Sequence, residues 1–259
     1  LLHAACGSGN IGVFRYLVEE KRLNANVQDE EGRTPLIECI QKPRLDASKY
    51  LIKFSNITLV DKTGSSVMHY AAGKADVGTI KELVNQQGDY QLANLKGQKP
   101  FDFASQAGRL EIVKYFIDDL GVPYGEQIFD ACEEGYLGLV MYLIEVKMKK
   151  KDDNDEEGWT LLQRAASKGQ IAVIKYLVES IHVDVNAKNS LNGTPFTALH
   201  AACVNGHLET AMYLVDKGAD IAARDVNGRT PLYEAARAGF LPIVKYFFDA
   251  KKADPRQID

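Results

Sequence analysis

The sequence predicts an all-α fold, an α-solenoid of stacked helix-turn-helix units with short β-hairpin loops. A pattern of five positions recurs eight times in the 259 residues, at intervals of 27 to 37 residues. Each recurrence also contains two runs of apolar residues at helical spacing. Such self-similarity is typical of a repeat array in which every unit contacts its neighbours, not of one globule. The apolar anchors that open the units are Leu2, Leu36, Met68, Phe101, Ile128, Leu162, Leu199 and Leu232.

The first helix of each unit is predicted to begin at the anchor and to end at a glycine. Thr34 and Pro35 precede the second anchor. Threonine caps a helix N-terminus well, and proline is tolerated at the first helical position because its missing N–H would be unpaired there. A small residue three positions after the anchor, such as Ala235, lets neighbouring helices approach closely. Glycine seven positions after it, such as Gly239, supplies the left-handed conformation that ends the helix.

A longer second helix follows, with apolar residues nine and fifteen positions after the anchor. The loop behind it ends in Asp-x-x-Gly, as at Asp225–Gly228, where aspartate opens a β-turn and glycine closes it. The whole chain is therefore predicted to be one repeat domain, 1–259, whose last unit is incomplete or a cap. Its predicted units are 1–32, 33–64, 65–97, 98–123, 124–157, 158–193, 194–228 and 229–259.

These motifs resemble the ankyrin repeat over essentially the whole chain. The period near 33 residues, the Thr-Pro-Leu helix start and the Gly-Ala-Asp loop are best matched in 199–220 and 225–239. His3, His69 and His200 occupy the histidine of the family's Thr-Pro-Leu-His motif, where that side chain orders the turn. The resemblance implies a non-catalytic module that binds other proteins.

The pattern breaks in the middle of the chain. Phe101 and Ile128 are only 27 residues apart, and residues 121–125 stand where a hairpin is expected. We predict a missing or stunted hairpin there, which would divide the array into subarrays of roughly 1–123 and 124–259.

Three further segments depart from the repeat. Residues 190–197 form an insertion, and 147–157 place a basic block against an acidic one. We interpret that block as a solvated helix end and loop, with a partner contact as the alternative. The chain starts inside a first helix, and 252–259 resembles the start of a ninth hairpin, so we expect a segment of a longer protein.

Composition excludes several classes of protein. The 31 basic and 35 acidic residues give a net charge of −4, which offers no overall basic surface for nucleic acid. No apolar run approaches the roughly 18 residues of a membrane span, and no signal peptide pattern is present. The expected location is therefore cytoplasmic, with the nucleus left open.

The four cysteines, Cys6, Cys39, Cys132 and Cys203, fall three or four positions after their anchors. We predict reduced thiols that serve as small core residues. Equivalent positions in adjacent units are expected to lie about 10 Å apart, which is too far for a disulfide.

Motifs for chemistry are weak, so we predict no enzyme, no cofactor and no metal. Residues 7–12 match GxGxxG, but a dinucleotide site requires a strand before the motif, and here a helix start precedes it. Asp153–Gly158 resembles half of a calcium loop, yet Arg164 stands where the loop needs a bidentate glutamate. No serine, cysteine or aspartate is linked to a histidine by spacing typical of a catalytic triad.

The family resemblance places partner contacts on a concave face of hairpin tips and first-helix ends. The contact positions are the two residues before the helix-ending glycine and the residue after the turn glycine. In the seventh unit, the residue after the turn glycine is Thr194. The predicted partner-binding residues are Arg33, Gln41, Lys42, Lys74, Gln98, Glu133, Glu134, Trp159, Lys168, Asn205, Arg229 and Arg237.

Trp159 is the only tryptophan, and it directly follows a turn glycine. Two interpretations remain open: an interface hot spot, for which tryptophan is favoured, or local packing against the neighbouring hairpin. The predicted function is binding of a protein partner of unknown identity, without nucleic acid or a small-molecule cofactor. The alternatives are a substrate-recruiting segment of a multidomain enzyme or of a ubiquitin-ligase or kinase adaptor, and a mechanical or membrane-linking tether.

Overall fold

The computed structural model describes residues 1–42, 45–146, 154–188 and 195–249. They divide into two compact units, Leu1–Tyr124 and Gly125–Asp259, one residue from the predicted boundary between subarrays. The predicted ninth hairpin, most of the 190–197 insertion and most of the charged block at 147–157 lie outside the described residues.

The described residues form sixteen short α-helices, which confirms the predicted helical solenoid. The first compact unit contains α1 (Leu2–Ser8), α2 (Ile11–Arg15), α3 (Pro35–Gln41), α4 (Leu45–Ile52), α5 (Val67–Lys74), α6 (Val77–Asn85), α7 (Pro100–Gln106) and α8 (Leu110–Lys114). The second contains α9 (Gln127–Glu134), α10 (Leu137–Met141), α11 (Leu161–Ser167), α12 (Ile171–Lys175), α13 (Ala198–Val204), α14 (Leu208–Asp216), α15 (Pro231–Ala238) and α16 (Leu241–Asp249).

Four of the second helices continue into a wider π-helical turn. These turns follow α2, α8, α10 and α12, and each begins at a tyrosine: Tyr16–Glu20, Tyr115–Asp119, Tyr142–Val146 and Tyr176–Ser180. Within each compact unit, odd-numbered helices pack on odd-numbered helices and even-numbered helices on even-numbered ones. Two layers of helices result, and each repeat contributes one helix to each layer.

Several first helices have the predicted start or end, although most begin one residue before the anchor. Thr34 Oγ1 accepts from the amide of Ile37 (3.3 Å), and Pro35 occupies the first turn. Gly135 and Gly239 end α9 and α15 with φ of 81° and 83°. The small residue three positions after the anchor is buried between neighbouring first helices, as at Ala104. Close packing of these helices therefore depends on the small side chain at this position.

Cys6 and Cys39 form a disulfide, so the prediction of four reduced thiols is wrong for this pair. Their Cα atoms are 4.8 Å apart. The expected 10 Å is a distance between helix axes, whereas these residues lie on the sides of α1 and α3 that face each other. Cys132 and Cys203 are free and buried, and burial raises the pKa of both thiols. The thiols therefore give no support to the expected cytoplasmic location, where disulfides are rare.

The described hairpins are too short to contain paired β-strands. In the described residues, the β-structure consists of isolated antiparallel bridges, Val60 with Ser66 and Asn154 with Thr160. Between α8 and α9 there is no such bridge among the described residues. Val122 donates its amide to the carbonyl of Phe116 (2.9 Å), as Leu23 and Val183 do to the equivalent carbonyls of their repeats, and α9 follows at Gln127.

Arg22 and Gly121 occupy equivalent left-handed positions after the π-helical turns, with φ of 53° and 64°. A side chain in this conformation costs roughly 1 kcal/mol relative to glycine. We expect Arg22→Gly to raise the free energy of unfolding by about 0.5–1 kcal/mol, measured by urea denaturation. Gly121→Ala is the matched control and should lower it by about 1 kcal/mol, because open space surrounds the added Cβ and only backbone strain remains. Unchanged stability in both variants would contradict the argument.

Candidate protein-binding face

Each of the five hairpin tips in the described ranges is held by one side-chain oxygen. Asp225 Oδ1 accepts from the amides of Asn227 and Arg229, both at 2.8 Å, and Gly228 closes the turn with φ of 76°. Asp29, Asp61, Asn94 and Asp155 accept the equivalent pairs of bonds. These bonds fix the backbone of the residue after the turn glycine, which is one of the predicted contact positions.

A histidine couples each of several first helices to the next hairpin. His200 Nδ1 accepts from the amide of Thr197 (3.3 Å), so its Nε2 carries the proton and donates to the carbonyl of Arg229 (3.1 Å). His69 makes the same pair of bonds with Ser66 and Gln98. His3 contacts the carbonyl of Arg33 (2.8 Å). In the sixth repeat, the buried Gln163 takes this role, which the sequence analysis did not recognise.

Burial lowers the pKa of His69 and His200 below the usual 6.5. The unfolded chain therefore binds protons more readily than the folded chain below pH 6.5 or so, and stability falls as the pH decreases through that value. We expect the free energy of unfolding to drop between pH 7.5 and 5.5, by at most about 1.4 kcal/mol per pH unit for each histidine. Urea denaturation at several pH values measures the slope. The double variant His69→Gln/His200→Gln should flatten it, and an unchanged slope would contradict this assignment.

In the first compact unit, several predicted contact positions line one groove with a cavity volume of about 380 Å³. We name it the first groove. Its lining residues are Gln41, Tyr70, Gly73, Lys74, Phe103, Gln106 and Ala107. The residues come from α3, α5 and α7 and from Ala107 directly after α7.

Tyr70 and Phe103 form the aromatic part of the first groove, and the sequence analysis missed both. Each residue stands two positions after its anchor and three positions before a predicted contact position. Residues three apart lie on the same side of a helix. Helical spacing could therefore have found them. Phe103 packs edge-on against His69 (ring centroids 5.3 Å apart). The Tyr70 hydroxyl donates to Asp61 Oδ2, and burial together with this carboxylate raises the pKa of Tyr70 to about 12.

The second compact unit contains an acidic groove of about 390 Å³, which we name the second groove. It is lined by Glu126, Phe129, Asp130, Glu133, Asp155, Glu156, Glu157 and Arg164. Six of these are carboxylates and one is a cation. The two grooves therefore differ strongly in charge.

Arg164 organises the second groove. Its guanidinium contacts carboxylate oxygens of Asp155 (2.6 Å), Glu157 (2.9 Å) and Glu133 (3.4 Å). From the sequence, Arg164 is identified only as the residue that excludes a calcium loop. In the structure, this cation is bound directly to two carboxylates of that motif, Asp155 and Glu157. Asp153, the first residue of that motif, lies outside the described residues.

Trp159 is half-buried beside Arg164, whose guanidinium lies 5.2 Å from the centre of the indole ring. It also packs edge-on against Phe196 (5.7 Å), which in turn contacts His200 (5.1 Å). This geometry favours the local packing interpretation, and a partner contact remains a proposal. Thr194 lies outside the described residues, and Phe196 occupies the position equivalent to Trp159, directly before the N-cap of its helix.

Other predicted contact residues pair with a glutamate two positions after the anchor. Arg229 and Arg237 contact Glu234 at 3.4 and 2.7 Å. Glu38 in the same way lies between Arg33 (3.8 Å) and Lys42 (3.3 Å). The arginines are thus oriented by buried or half-buried acids that the sequence analysis did not single out.

The remaining predicted partner-binding residues either take no part in these ion-pair networks or contact only one member of them. Gln98 donates to Gln106 (3.4 Å), and Lys168 contacts Glu133 (3.3 Å). Glu134 and Asn205 are exposed at the ends of α9 and α13, where Asn205 donates to the carbonyl of Ala201.

The described ranges contain no group of three or more His, Cys, Asp or Glu side chains arranged to hold a metal ion. None of their helices is both long and apolar enough to cross a membrane. The GxGxxG motif at 7–12 runs from α1 into α2. It therefore follows a helix and not the strand that a dinucleotide site requires.

Paired helices in two layers, with cross-repeat bonds to regularly spaced turns, define a helical repeat protein. The chain belongs to the ankyrin repeat family. The family model described as ankyrin repeats (3 copies) matches residues 1–61, 45–128, 127–189 and 182–259.

Known proteins of similar sequence or fold are also repeat proteins or longer chains. Alpha-latrocrustotoxin-Lt1a of Latrodectus tredecimguttatus is 27% identical over 247 residues, covering 86% of this chain and 17% of the toxin. A putative ankyrin repeat protein of Rickettsia felis is 29% identical over 185 residues, covering 71% of this chain and 47% of that protein. This chain therefore spans less than half the length of either relative.

The human ASB11 ankyrin repeat domain has a similar fold, with a TM-score of 0.66 and 24% identity. The match covers 82% of this chain and 97% of that domain. Ankyrin repeats are generally modules for protein–protein interaction, and nothing in these comparisons shows catalytic activity.

Proposed function

We propose that this chain is a non-catalytic module that binds a partner protein through its first-helix face. We define this face as the residues two, five and six positions after each anchor, together with the residue before each first-helix N-cap. One observation carries the proposal: the backbone beneath these positions repeats, whereas their side chains contribute to an aromatic groove in one compact unit and to an acidic groove in the other. A repeated scaffold with locally different side chains is suited to recognition.

The proposed mechanism is rigid presentation. The turn aspartates and the coupling residues His69, Gln163 and His200 hold the backbone by hydrogen bonds. Since few backbone groups need to become ordered on binding, less of the interaction energy is lost to entropy. Tyrosine, tryptophan and arginine are the side chains that most often dominate interfaces, and the face contains Tyr70 and Trp159.

Affinity purification of the full chain or its parent protein, with quantitative mass spectrometry, tests the proposal. The face variant changes Arg33, Trp159 and Arg229 to alanine together. The matched control changes Lys53, Glu209 and Lys245, which are exposed residues of the second-helix layer, to alanine. We expect partner recovery to fall about tenfold or more in the face variant and to stay near wild type in the control. Equal recovery with both variants would refute the assignment of the face.

A second candidate, substrate recruitment for an enzyme elsewhere in a longer parent protein, is favoured by one observation. The chain corresponds to 17% and 47% of the lengths of the two relatives described above. Under this proposal, the face variant would reduce enzymatic modification of the bound partner, whereas the control variant would not.

A further inference from the structure

We propose that the first groove binds an extended segment of the partner protein that carries an apolar or aromatic side chain next to a carboxylate. This inference rests on the proposed function and adds the chemistry of the partner. It is argued from the shape of the groove, its aromatic wall and its charge.

The groove exists because α5 has no side chain at position 73. A Cβ added to Gly73 would lie 3.6 Å from the carbonyl oxygen and 3.9 Å from the Cβ of Phe103, so a longer side chain would occupy the groove. At about 380 Å³, the cavity is at the small end of ligand-binding sites. It therefore suits one or two side chains better than a cofactor.

The aromatic wall is held in place before a partner arrives. Phe103 packs edge-on against His69 and against Tyr70, with ring centroids 5.3 and 6.3 Å apart. Because the Tyr70 hydroxyl is bound to Asp61, the ring offers mainly its apolar surface to an incoming side chain. An apolar or aromatic side chain would gain free energy by covering these rings.

The charge of the groove comes from Lys74. It is exposed, it is the charged residue among those lining the groove, and no described residue forms an ion pair with it. The nearby Lys42, by contrast, is paired with Glu38. A carboxylate on the partner complements the Lys74 ammonium, whereas a basic segment would be repelled.

The groove crosses three first helices, which predicts the length of the bound segment. Neighbouring helices pack about 8–10 Å apart, so three helices span roughly 20 Å. An extended chain covers this distance with about six residues. The side-chain amide of Gln41 lines the groove and offers a donor and an acceptor to the main chain of such a segment.

Two glycine variants separate groove filling from folding. Gly73→Leu places a side chain in the groove, and Gly78→Leu is the control in α6, outside the first-helix face, where the nearest atom to an added Cβ is Asp76 Oδ1 at 3.3 Å. Gly73 lies next to the last residue of α5 and Gly78 next to the first residue of α6. Replacing a helical glycine gains helix propensity in both cases, so loss of binding in one variant alone cannot result from unfolding.

The experiment is selection of a random phage-displayed peptide library on the full chain, with binding of the selected synthetic peptides measured by fluorescence anisotropy. We expect peptides with aspartate or glutamate within about three positions of an apolar or aromatic residue. Gly73→Leu should weaken their binding about tenfold or more, and Gly78→Leu by less than about twofold. Lys74→Glu should weaken acidic peptides and strengthen the same peptides with lysine in place of the carboxylate.

Several results would overturn the inference: no selected peptides, peptides without acidic residues, basic peptides, or equal binding to wild type and Gly73→Leu. Recovery of the natural partner with each variant distinguishes failure of this inference from failure of the proposed function. If the partner is lost with the face variant but kept with Gly73→Leu, the face stands and the first-groove assignment falls. If both variants keep the partner, both proposals fall.

Discussion

Reduction of the Cys6–Cys39 disulfide is expected to lower the stability of the first compact unit by about 3–4 kcal/mol. The bond links residues separated by 33 positions, and a cross-link of that length removes this much chain entropy from the unfolded state in the loop-closure treatment. Both residues are buried between α1 and α3, so the effect should be concentrated in the first two repeats. Urea denaturation of the full chain followed by circular dichroism, with and without reductant, measures the loss.

Hydrogen exchange with mass spectrometry locates this loss. Peptides from residues 1–55 should exchange faster under reducing conditions, and those of the second compact unit should not. The control is Cys6→Ala/Cys39→Ala, which removes the bond but leaves the buried free thiols of Cys132 and Cys203. Reductant should not change the stability of this variant. If reductant destabilises it as much as wild type, the effect does not come from the disulfide.

Gln163→Leu is expected to lower the free energy of unfolding by about 2–6 kcal/mol. The buried amide accepts from the backbone N–H of Thr160 (2.8 Å) and donates to the carbonyl of Phe196 (2.7 Å). Leucine would leave both backbone groups without these partners, and each such loss costs about 1–3 kcal/mol. Urea denaturation followed by the fluorescence of Trp159, which packs against Phe196, measures the change.

The conservative variant Gln163→His tests whether the lost bonds are responsible. His69 and His200 perform this coupling at the equivalent position of other repeats. We therefore expect the histidine variant to recover most of the stability, to within about 1 kcal/mol of wild type. A histidine variant as unstable as the leucine variant would show that packing, and not hydrogen bonding, explains the loss.

The repeat and its helices could be predicted because their causes are local. Thr34 and Pro35 start a helix, Gly239 ends one, and Asp225 closes a turn with atoms only a few residues away. The same locality explains why the break at 121–125 was visible in the sequence. The π-helical turns that begin at tyrosines such as Tyr16 were not predicted, since helical spacing alone does not separate them from α-helix.

The candidate face could be predicted only in part. The family resemblance supplied positions such as Gln41 and Lys74, which line the first groove together. It did not supply Tyr70, Phe103 or Arg164, although helical spacing places all three on the same side as the predicted positions. Their effect on shape and charge depends on the side chains of neighbouring repeats, about 30 residues away in the chain.

Caps, turns and apolar spacing act within one unit of about 33 residues, so the repeat architecture follows from the sequence alone. The Cys6–Cys39 bond, the coupling by Gln163 and the opposite character of the two grooves arise only in the folded array. Each of these depends on which sides of adjacent helices face each other and how closely they pack. The distance between adjacent helices is set by the stacking of the repeats and cannot be deduced from one repeat alone.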